Sequence, residues 1–507
     1  MLNVSSVILG NEPGKPLDAV FINSPLKDYD KSPRRNNFTL PVLGLGYIAT
    51  CAQKAGFNVG VLDAEALGLG VSRIAEITND AAPRWVGLNL LAPTYKHGVE
   101  ILRHISPEIQ VMVGGHQAKA MPAEILRDKR IPRIDAMVLG EGEFRVERLL
   151  ADTAEREKLP QVRWRSDGGE PKEGLARSPQ EKSQYLAPDI DRLPFIDRRF
   201  LVHDPYITEN GLIEANLVGS RGCPYNCSFC GAAKSVNPDI SIRTRSPDNI
   251  LAEMEQLEHK YKVTAFRFVD DLFLAQEPFM KRCLPRFVEA GVGDKWVWDA
   301  TGRINVLAKA DDGLLELVKK SGCREIALGV ESGSNRILEY IDKHISPEMS
   351  LRAIKSLTSR GIHVKGYFIF GFPTETESDM TATIDLIQHL WDSTKNDPGR
   401  FRCSVFEFRP YPGTLEWTRL IGTGRYSAEQ LLNYEHIDLT ENGHNAMLLE
   451  RDEFNFSVNI QFGEVPLHRV RAEVARLMET QKSRLEQIRF EPKYGGDQLL
   501  SKLPRTD

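Results

Sequence analysis

Three cysteines, Cys223, Cys227 and Cys230, fall in the run Arg221-Gly222-Cys223-Pro224-Tyr225-Asn226-Cys227-Ser228-Phe229-Cys230-Gly231, with the spacing C-x3-C-x2-C. Three thiolates can hold three irons of a cubane [4Fe–4S] cluster and leave the fourth iron open to an exchangeable ligand. A structural zinc site is closed by four ligands. Here no fourth Cys or His lies close by: Cys283 is the next cysteine and His203 the nearest upstream histidine. An open iron points to chemistry, a zinc or iron–sulfur knuckle to scaffolding, and spacing alone leaves both readings standing. The stretch ahead of the loop, Leu212 to Val218, is mostly apolar with β-branched residues and reads as a buried strand. The cysteines therefore leave a strand end, where barrel-like α/β folds place their active sites.

This loop resembles the signature of the radical S-adenosylmethionine (SAM) enzymes. The resemblance implies that the open iron binds the amino and carboxylate groups of SAM. It also implies that Phe229, the aromatic residue before the third cysteine, helps hold the adenine.

The elements that must position this loop follow the same logic. Apolar strand patterns end in polar groups: Thr264 to Val269 before Asp270-Asp271, Trp296 to Ala300 before Gly302-Arg303, and Glu325 to Val330 before Glu331-Ser332. His363 to Phe370 precedes Gly371-Phe372-Pro373, and Phe401 to Phe408 precedes Arg409. With Leu212 to Val218 these make six β/α units, the number in the partial barrel of the radical SAM fold. Ser246 with Pro247 opens a helix as N-cap and first helical residue. The resemblance assigns SAM contacts to Phe229, Asp270, Arg303, Glu331, Ser332, Lys343 and Gly366, with Glu375 flanking the adenine. Arg303 suits the SAM carboxylate, because a guanidinium forks onto carboxylate oxygens. Taken singly, Asp270, Asp271, Lys343 and Glu375 also read as solvated loop charges. No residue is assigned the role of catalytic acid or base.

Ahead of this domain, apolar strands at Ala19–Ile22, Val59–Asp63, Trp85–Leu91, Val111–Gly115 and Ala136–Gly140 alternate with helical patterns. That alternation implies a doubly wound, Rossmann-like parallel sheet. Such sheets bind ligands at their C-terminal strand ends, where glycines admit a cofactor to the backbone. The order of pieces Pro41-Val42-Leu43-Gly44-Leu45-Gly46-Tyr47, Gly114-Gly115-His116 and Gly140-Glu141-Gly142-Glu143 resembles the cobalamin-binding domain found ahead of many radical SAM domains. The resemblance implies cobalamin contacts at Leu43, Gly44, Tyr47, Asn89, Thr94, Gly114, Gly115, His116, Gly140, Glu141 and Gly142. The Asp-x-His-x-x-Gly loop that supplies a lower axial His in methionine-synthase-type domains is missing: the corresponding loop is Asn23-Ser24-Pro25-Leu26-Lys27-Asp28. Cobalt is thus expected without a protein histidine below it. The alternatives are an empty Rossmann-like domain and, for His116, a loop histidine bonded to backbone.

Composition sets the outer bounds. A length of 507 residues suggests about three domains. The chain is expected to divide into a cobalamin-binding domain at 1–150, a linker at 151–211, a partial barrel at 212–420 and a mainly helical capping segment at 421–507. The linker rests on a charged, Pro/Gly-rich stretch that includes Ser166-Asp167-Gly168-Gly169-Glu170-Pro171. In the last segment an amphipathic helix is expected over Val465 to Ile488, packed on the barrel, with frayed final residues. A net charge of −5 argues against nucleic acid as the main partner. No run approaches the roughly 20 apolar residues of a membrane span, and no signal peptide is evident. Cys51, Cys283, Cys323 and Cys403 lie in apolar segments, which suits buried thiols in a reducing cytoplasm.

These readings lead to one expected activity. A cobalamin-dependent radical SAM enzyme would cleave SAM reductively at the cluster and methylate an unactivated carbon of a small molecule. An electron donor such as flavodoxin or ferredoxin would serve it. A non-methylating relative that contracts or closes rings is the alternative, and a non-catalytic metal-knuckle interaction protein a third reading.

Overall fold

The computed structural model describes residues 7–31, 34, 39–175, 178–208, 211–238, 242–436 and 456–486. Strands buried on both faces carry continuous apolar runs, as parallel sheets require. Strands β1 (Ala19–Asn23), β2 (Val59–Asp63), β3 (Trp85–Asn89), β4 (Gln110–Gly114) and β5 (Ala136–Val138) fulfil this and pair in parallel in the order β2-β1-β3-β4-β5. Val20, Ile22 and Leu88 pack on one face, and Ala19, Phe21 and Trp85 on the other. The sheet is therefore doubly wound.

Residues 151–211, expected as a linker, are divided between two sheets. Strands β6 (Val162–Arg165) and β7 (Pro171–Glu173) form an antiparallel extension of the first sheet. The Gly-rich stretch at 166–169 is the turn of that hairpin, with Gly169 at φ +84°. A loop-forming composition marks a hairpin turn as readily as a domain boundary. Strand β8 (Tyr206–Ile207) pairs antiparallel with β9 (Ile213–Leu217) and so belongs to the second sheet. The segment between them is fastened by buried Arg198, which pairs with Asp204 and Glu253 at 3.1 Å each.

The second domain is the expected partial barrel. A short antiparallel ribbon, β10 (Ser220–Arg221) with β11 (Arg243–Thr244), flanks the cysteine loop. The main sheet continues through β12 (Ala265–Phe268), β13 (Val297–Gly302), β14 (Cys323–Glu331), β15 (His363–Phe370) and β16 (Phe401–Glu407). With β9 these are six parallel strands in the order β16-β15-β14-β13-β12-β9. Phe266, Phe268, Trp298 and Ile326 pack outward against the helices. Alternate residues face inward: Arg267 pairs with Glu214 at 2.7 Å and Arg402 with Glu325 at 2.6 Å, while Arg324, the extra residue at a register shift between β13 and β14, reaches Glu214 at 2.8 Å. The helix Pro247–Tyr261 starts as its sequence dictates, Ser246 Oγ accepting from Asn249 N at 3.3 Å.

An open sheet leaves an edge of unpaired backbone groups. The helix Leu467–Glu486 lies along β16. Its Gln481 side chain donates to Cys403 O at 2.7 Å and accepts from Cys403 N, which satisfies part of that edge. The expected end of this helix at Ile488 and the frayed terminus lie outside the described residues. Among the described residues no helix is long and apolar enough to cross a membrane.

Candidate active site between the two domains

The C-terminal strand ends of the first sheet face the cysteine loop across a cavity of about 440 Å³. Leu43, Gly44, Tyr47, Asn89, Gly114, Gly115, His116, Gly140, Glu141 and Gly142 all line it. The opposite wall is Ser220, Arg221 and Gly222 with Val269, Asp270 and Asp271. Gly115 sits at φ +92°, and a Cβ there would lie 2.2 Å from Asn89 Oδ1. Only glycine fits that turn. A Cβ on Gly44 would meet nothing within 4 Å. That glycine is open to the cavity and suits a ligand approaching the backbone. Thr94 is the exception among the residues expected here. It is buried and does not line the cavity; its Oγ1 accepts from Leu91 N at 3.4 Å and caps its own turn. His116 stands in the cavity wall, while His97 does not. Enclosure by protein favours the neutral ring of His116, with Asp271 opposing and Lys119 adding to that shift.

The cysteine loop is held by bonds from three places in the barrel. Asp270 Oδ1 accepts from Gly219 N and Ser220 N at 2.8 and 2.9 Å, just ahead of the loop. Gly222 follows at φ +87°. Ser228 N donates to Ile341 O, and Glu416 N to Ser228 O, at 2.9 Å each. Glu416, fully buried at the start of the helix Leu415–Gly422, also accepts from Ser228 Oγ at 3.2 Å. The three thiols are free. Among the described residues no three Cys, His, Asp or Glu side chains converge as they would on a single ion. Three thiolates that each bind a different iron of a cubane need no such convergence. Burial raises the Cys223 thiol and pushes Cys230 up to about 12. Both must give up their protons when metal binds.

The residues expected around SAM divide in two. Phe229 meets Phe372 edge-to-face at 5.6 Å, so the two pieces expected around adenine are neighbours. Nearby Glu375 is fully buried and accepts from Gly371 N, with Oε1 unpartnered. Glu331, at φ +65° beside a register shift between β14 and β15, pairs with Lys343 at 2.5 Å. Lys343 Nζ lies 5.9 Å from the Phe229 ring centre. A capping role for Glu331 is excluded, since Ser334 caps the helix Asn335–Tyr340.

The others make contacts within the chain. Ser332 is fully buried, 3.0 Å from Thr383 Oγ1, and accepts from Ser334 N. Gly366 lies mid-strand, where a Cβ would sit 2.9 Å from the Phe401 ring. Asp270 braces the loop backbone, with Oδ2 buried and unpartnered. Burial raises its carboxyl to about 8, the two backbone donors opposing. Arg303, expected on the SAM carboxylate, donates from Nη1 to Cys227 Sγ at 3.3 Å and from Nη2 to Lys343 O. Its guanidinium stacks on Tyr225 at 4.0 Å.

Sequence reasoning missed the partners that hold the loop: Tyr225 beneath Arg303, Glu416 beneath Ser228, and the pair Arg221–Glu143 between domains. None repeats with a helix or strand period. Arg221 stands in the cysteine run and Glu143 ends the Gly140–Glu143 run, but nothing in the sequence pairs them.

A doubly wound domain whose strand ends open onto a three-cysteine barrel loop defines a radical SAM enzyme with a second cofactor domain. The chain belongs to the radical SAM superfamily and carries a B12-binding domain: the Radical SAM superfamily model matches residues 217–387 and the B12 binding domain model residues 36–150. It is 29% identical over 403 residues to an uncharacterized methyltransferase of Pyrococcus horikoshii, covering 79% of this chain and 83% of that one. It is 27% identical over 439 residues to the cytidylyl-2-hydroxyethylphosphonate methyltransferase of Streptomyces wedmorensis, covering 77% and 79%. Among solved structures, the radical SAM methyltransferase TsrM from Kitasatospora setae, with cobalamin and a [4Fe–4S] cluster bound, superposes with a TM-score of 0.64 over 91% of both chains at 16% identity. At that identity the likeness establishes the shared fold.

Proposed function

We propose that this chain is a cobalamin-dependent methyltransferase that modifies an unactivated carbon of a small-molecule substrate. One observation carries the reading: a single cavity is walled by the glycine-rich strand ends of the B12-binding domain and by the start of the cysteine loop. The similarity to two methyltransferases over more than three quarters of the chain supports it. When bound, the cluster and SAM would supply a carbon-centred radical and methylcobalamin the methyl group.

The chain's own residues supply holding and exclusion. Cys223, Cys227 and Cys230 would ligate the cluster. Phe229, Phe372 and Glu375 would border the adenine, and the Glu331–Lys343 pair offers both charges that an amino acid moiety requires. Leu43, Gly44, Gly114, Gly115 and Gly140 would let the corrin approach the backbone, while Asp270 holds the strand exit that carries the loop. Fixing both cofactors across one enclosed space supplies proximity, which accounts for much of such rates. A flavodoxin- or ferredoxin-type protein would deliver the electron, the setting would be cytoplasmic, and no nucleic acid takes part.

The test is anaerobic reconstitution with iron, sulfide and hydroxocobalamin, followed by metal analysis and mass spectrometry. Bound iron and cobalt, with a substrate that gains one methyl group, are the expected result. Zinc alone would favour the scaffold reading. A product without added methyl would favour ring contraction or cyclisation.

A further inference from the structure

The two domains are joined at the cavity rim by a cluster of opposite charges. Arg221 on β10 donates from Nη2 to Glu143 Oε1 at 2.7 Å, and its Nη1 lies 3.4 Å from Glu141 Oε2. Arg243, its register partner on β11, pairs with the other oxygen of Glu141 and donates to Pro188 O at 2.5 Å. The Arg221 guanidinium also covers the Tyr47 ring at 5.0 Å. Two arginines on one ribbon thus meet two glutamates of the Gly140–Glu143 loop. Glu143 is only 4% exposed. Burial alone would raise its carboxyl, but Arg221 outweighs burial and holds it below the usual range.

We propose that Arg221 and Glu143 form a clamp that keeps the two cofactor-binding walls in register, with Glu143 a positioning residue for transfer between them. The proposal rests on the two-cofactor reading above. Each partner belongs to the segment that builds its own wall: Arg221 lies two residues before Cys223, and Glu143 follows Gly142. Moving either residue moves a wall. A buried ion pair is a weak source of net stability, and its best-attested use is to fix register. The guanidinium fork fixes direction as well as distance. Removing both partners together therefore affects alignment more than folding, whereas removing one leaves the other buried without its counter-charge.

The test uses full-length protein with four forms: wild type, Glu143→Gln, Arg221→Gln and the double variant. Deuterium exchange is followed in the peptides over 140–146 and 219–231. The clamp predicts that either single variant speeds exchange at least tenfold in both peptides at once. It further predicts that the double variant is no faster than the singles, because one interaction has been removed. In protein loaded with hydroxocobalamin and a reconstituted cluster, and reduced with dithionite to cob(II)alamin and the one-electron-reduced cluster, pulsed dipolar spin resonance should show one cob(II)alamin-to-cluster distance in wild type and a broadened one in Glu143→Gln. Arg221→Lys, which keeps the charge but not the fork, should fall between.

Exchange that rises on one side only, additive effects in the double variant, or an unchanged distance distribution would overturn the clamp. Wild type that binds no hydroxocobalamin would overturn the two-cofactor reading instead, and the exchange comparison would still decide whether the pair joins the walls. If Arg221→Gln does not fold, Glu143→Gln and Arg221→Lys carry the same comparison.

Discussion

Arg303 Nη1 donates to Cys227 Sγ at 3.3 Å, from a guanidinium buried against the Tyr225 ring. A donor aimed at a cluster sulfur stabilises the more negative, reduced state and so raises the potential. A hydrogen bond to a charged group is worth about 1.5–3 kcal/mol. For a one-electron couple the lower figure corresponds to roughly 60 mV. Arg303→Ala is expected to retain the cluster and lower its potential by about that much, measured by spin resonance during redox titration. An unchanged potential with SAM affinity weakened tenfold or more would return Arg303 to the SAM carboxylate.

The cysteines themselves are the most direct test. Replacing Cys223, Cys227 and Cys230 together with Ala should abolish iron binding, the broad visible absorbance of the cluster and all SAM cleavage. The loop should keep its backbone bonds to Ile341 and Glu416, which do not involve the thiols. Folding measured by circular dichroism should therefore change little. A full complement of iron in the triple variant would show that other ligands hold the cluster.

Cobalamin is expected to bind with no protein histidine on cobalt. The loop after β1 has none, and His116 is the histidine that lines the cavity. Spin resonance of the cob(II)alamin form should lack nitrogen splitting. Splitting that disappears in His116→Ala would make that ring the axial ligand.

The parallel strands were legible because each is buried on both faces and reads as an unbroken apolar run. Glycines such as Gly115 and Gly140 were legible because their left-handed backbone suits few other residues. The hairpin β6–β7 was not, because its turn at 166–169 has the same composition as a linker. The side-chain roles around Arg303 were not legible either. They depend on how the cysteine loop and the turn at Lys343, 76 and 40 residues away in sequence, close on the end of β13. Arg221 and Glu143 are 78 residues apart, so only domain docking brings them together.

The Glu331–Lys343 pair is built over a glycine. A Cβ at Gly329 would lie 2.2 Å from Glu331 Oε1 and 2.6 Å from Lys343 Nζ. Gly329→Ala should therefore displace the pair and weaken SAM binding without loss of iron. Glu331→Gln leaves the Lys343 ammonium buried without its counter-charge, a change that costs about 3–5 kcal/mol for such pairs. Calorimetry of SAM binding and melting curves, read together, decide between roles. Lowered melting temperature with unchanged affinity would make the pair structural.

Glu375 gives the chain a stability term with a defined pH dependence. Its carboxyl is buried, one oxygen accepts from Gly371 N, and the other has no partner. Burial pushes it up to about 8, the Gly371 bond opposing. An unfolded glutamate ionises near 4.3, so between about 4 and 8 the folded chain holds a proton that the unfolded chain has lost. Stability from this group is then full below the unfolded value and is lost as pH rises through the folded one. Glu375→Gln cannot ionise, and its carbonyl oxygen can still accept from Gly371 N. The variant should match wild type near pH 4.5 and be the more stable near pH 8. Denaturant titrations of ligand-free protein at both pH values measure the difference. A variant less stable than wild type at pH 8 would mean that the charged carboxylate has a partner in the fold, and that Glu375 is held ionised beside the adenine stretch.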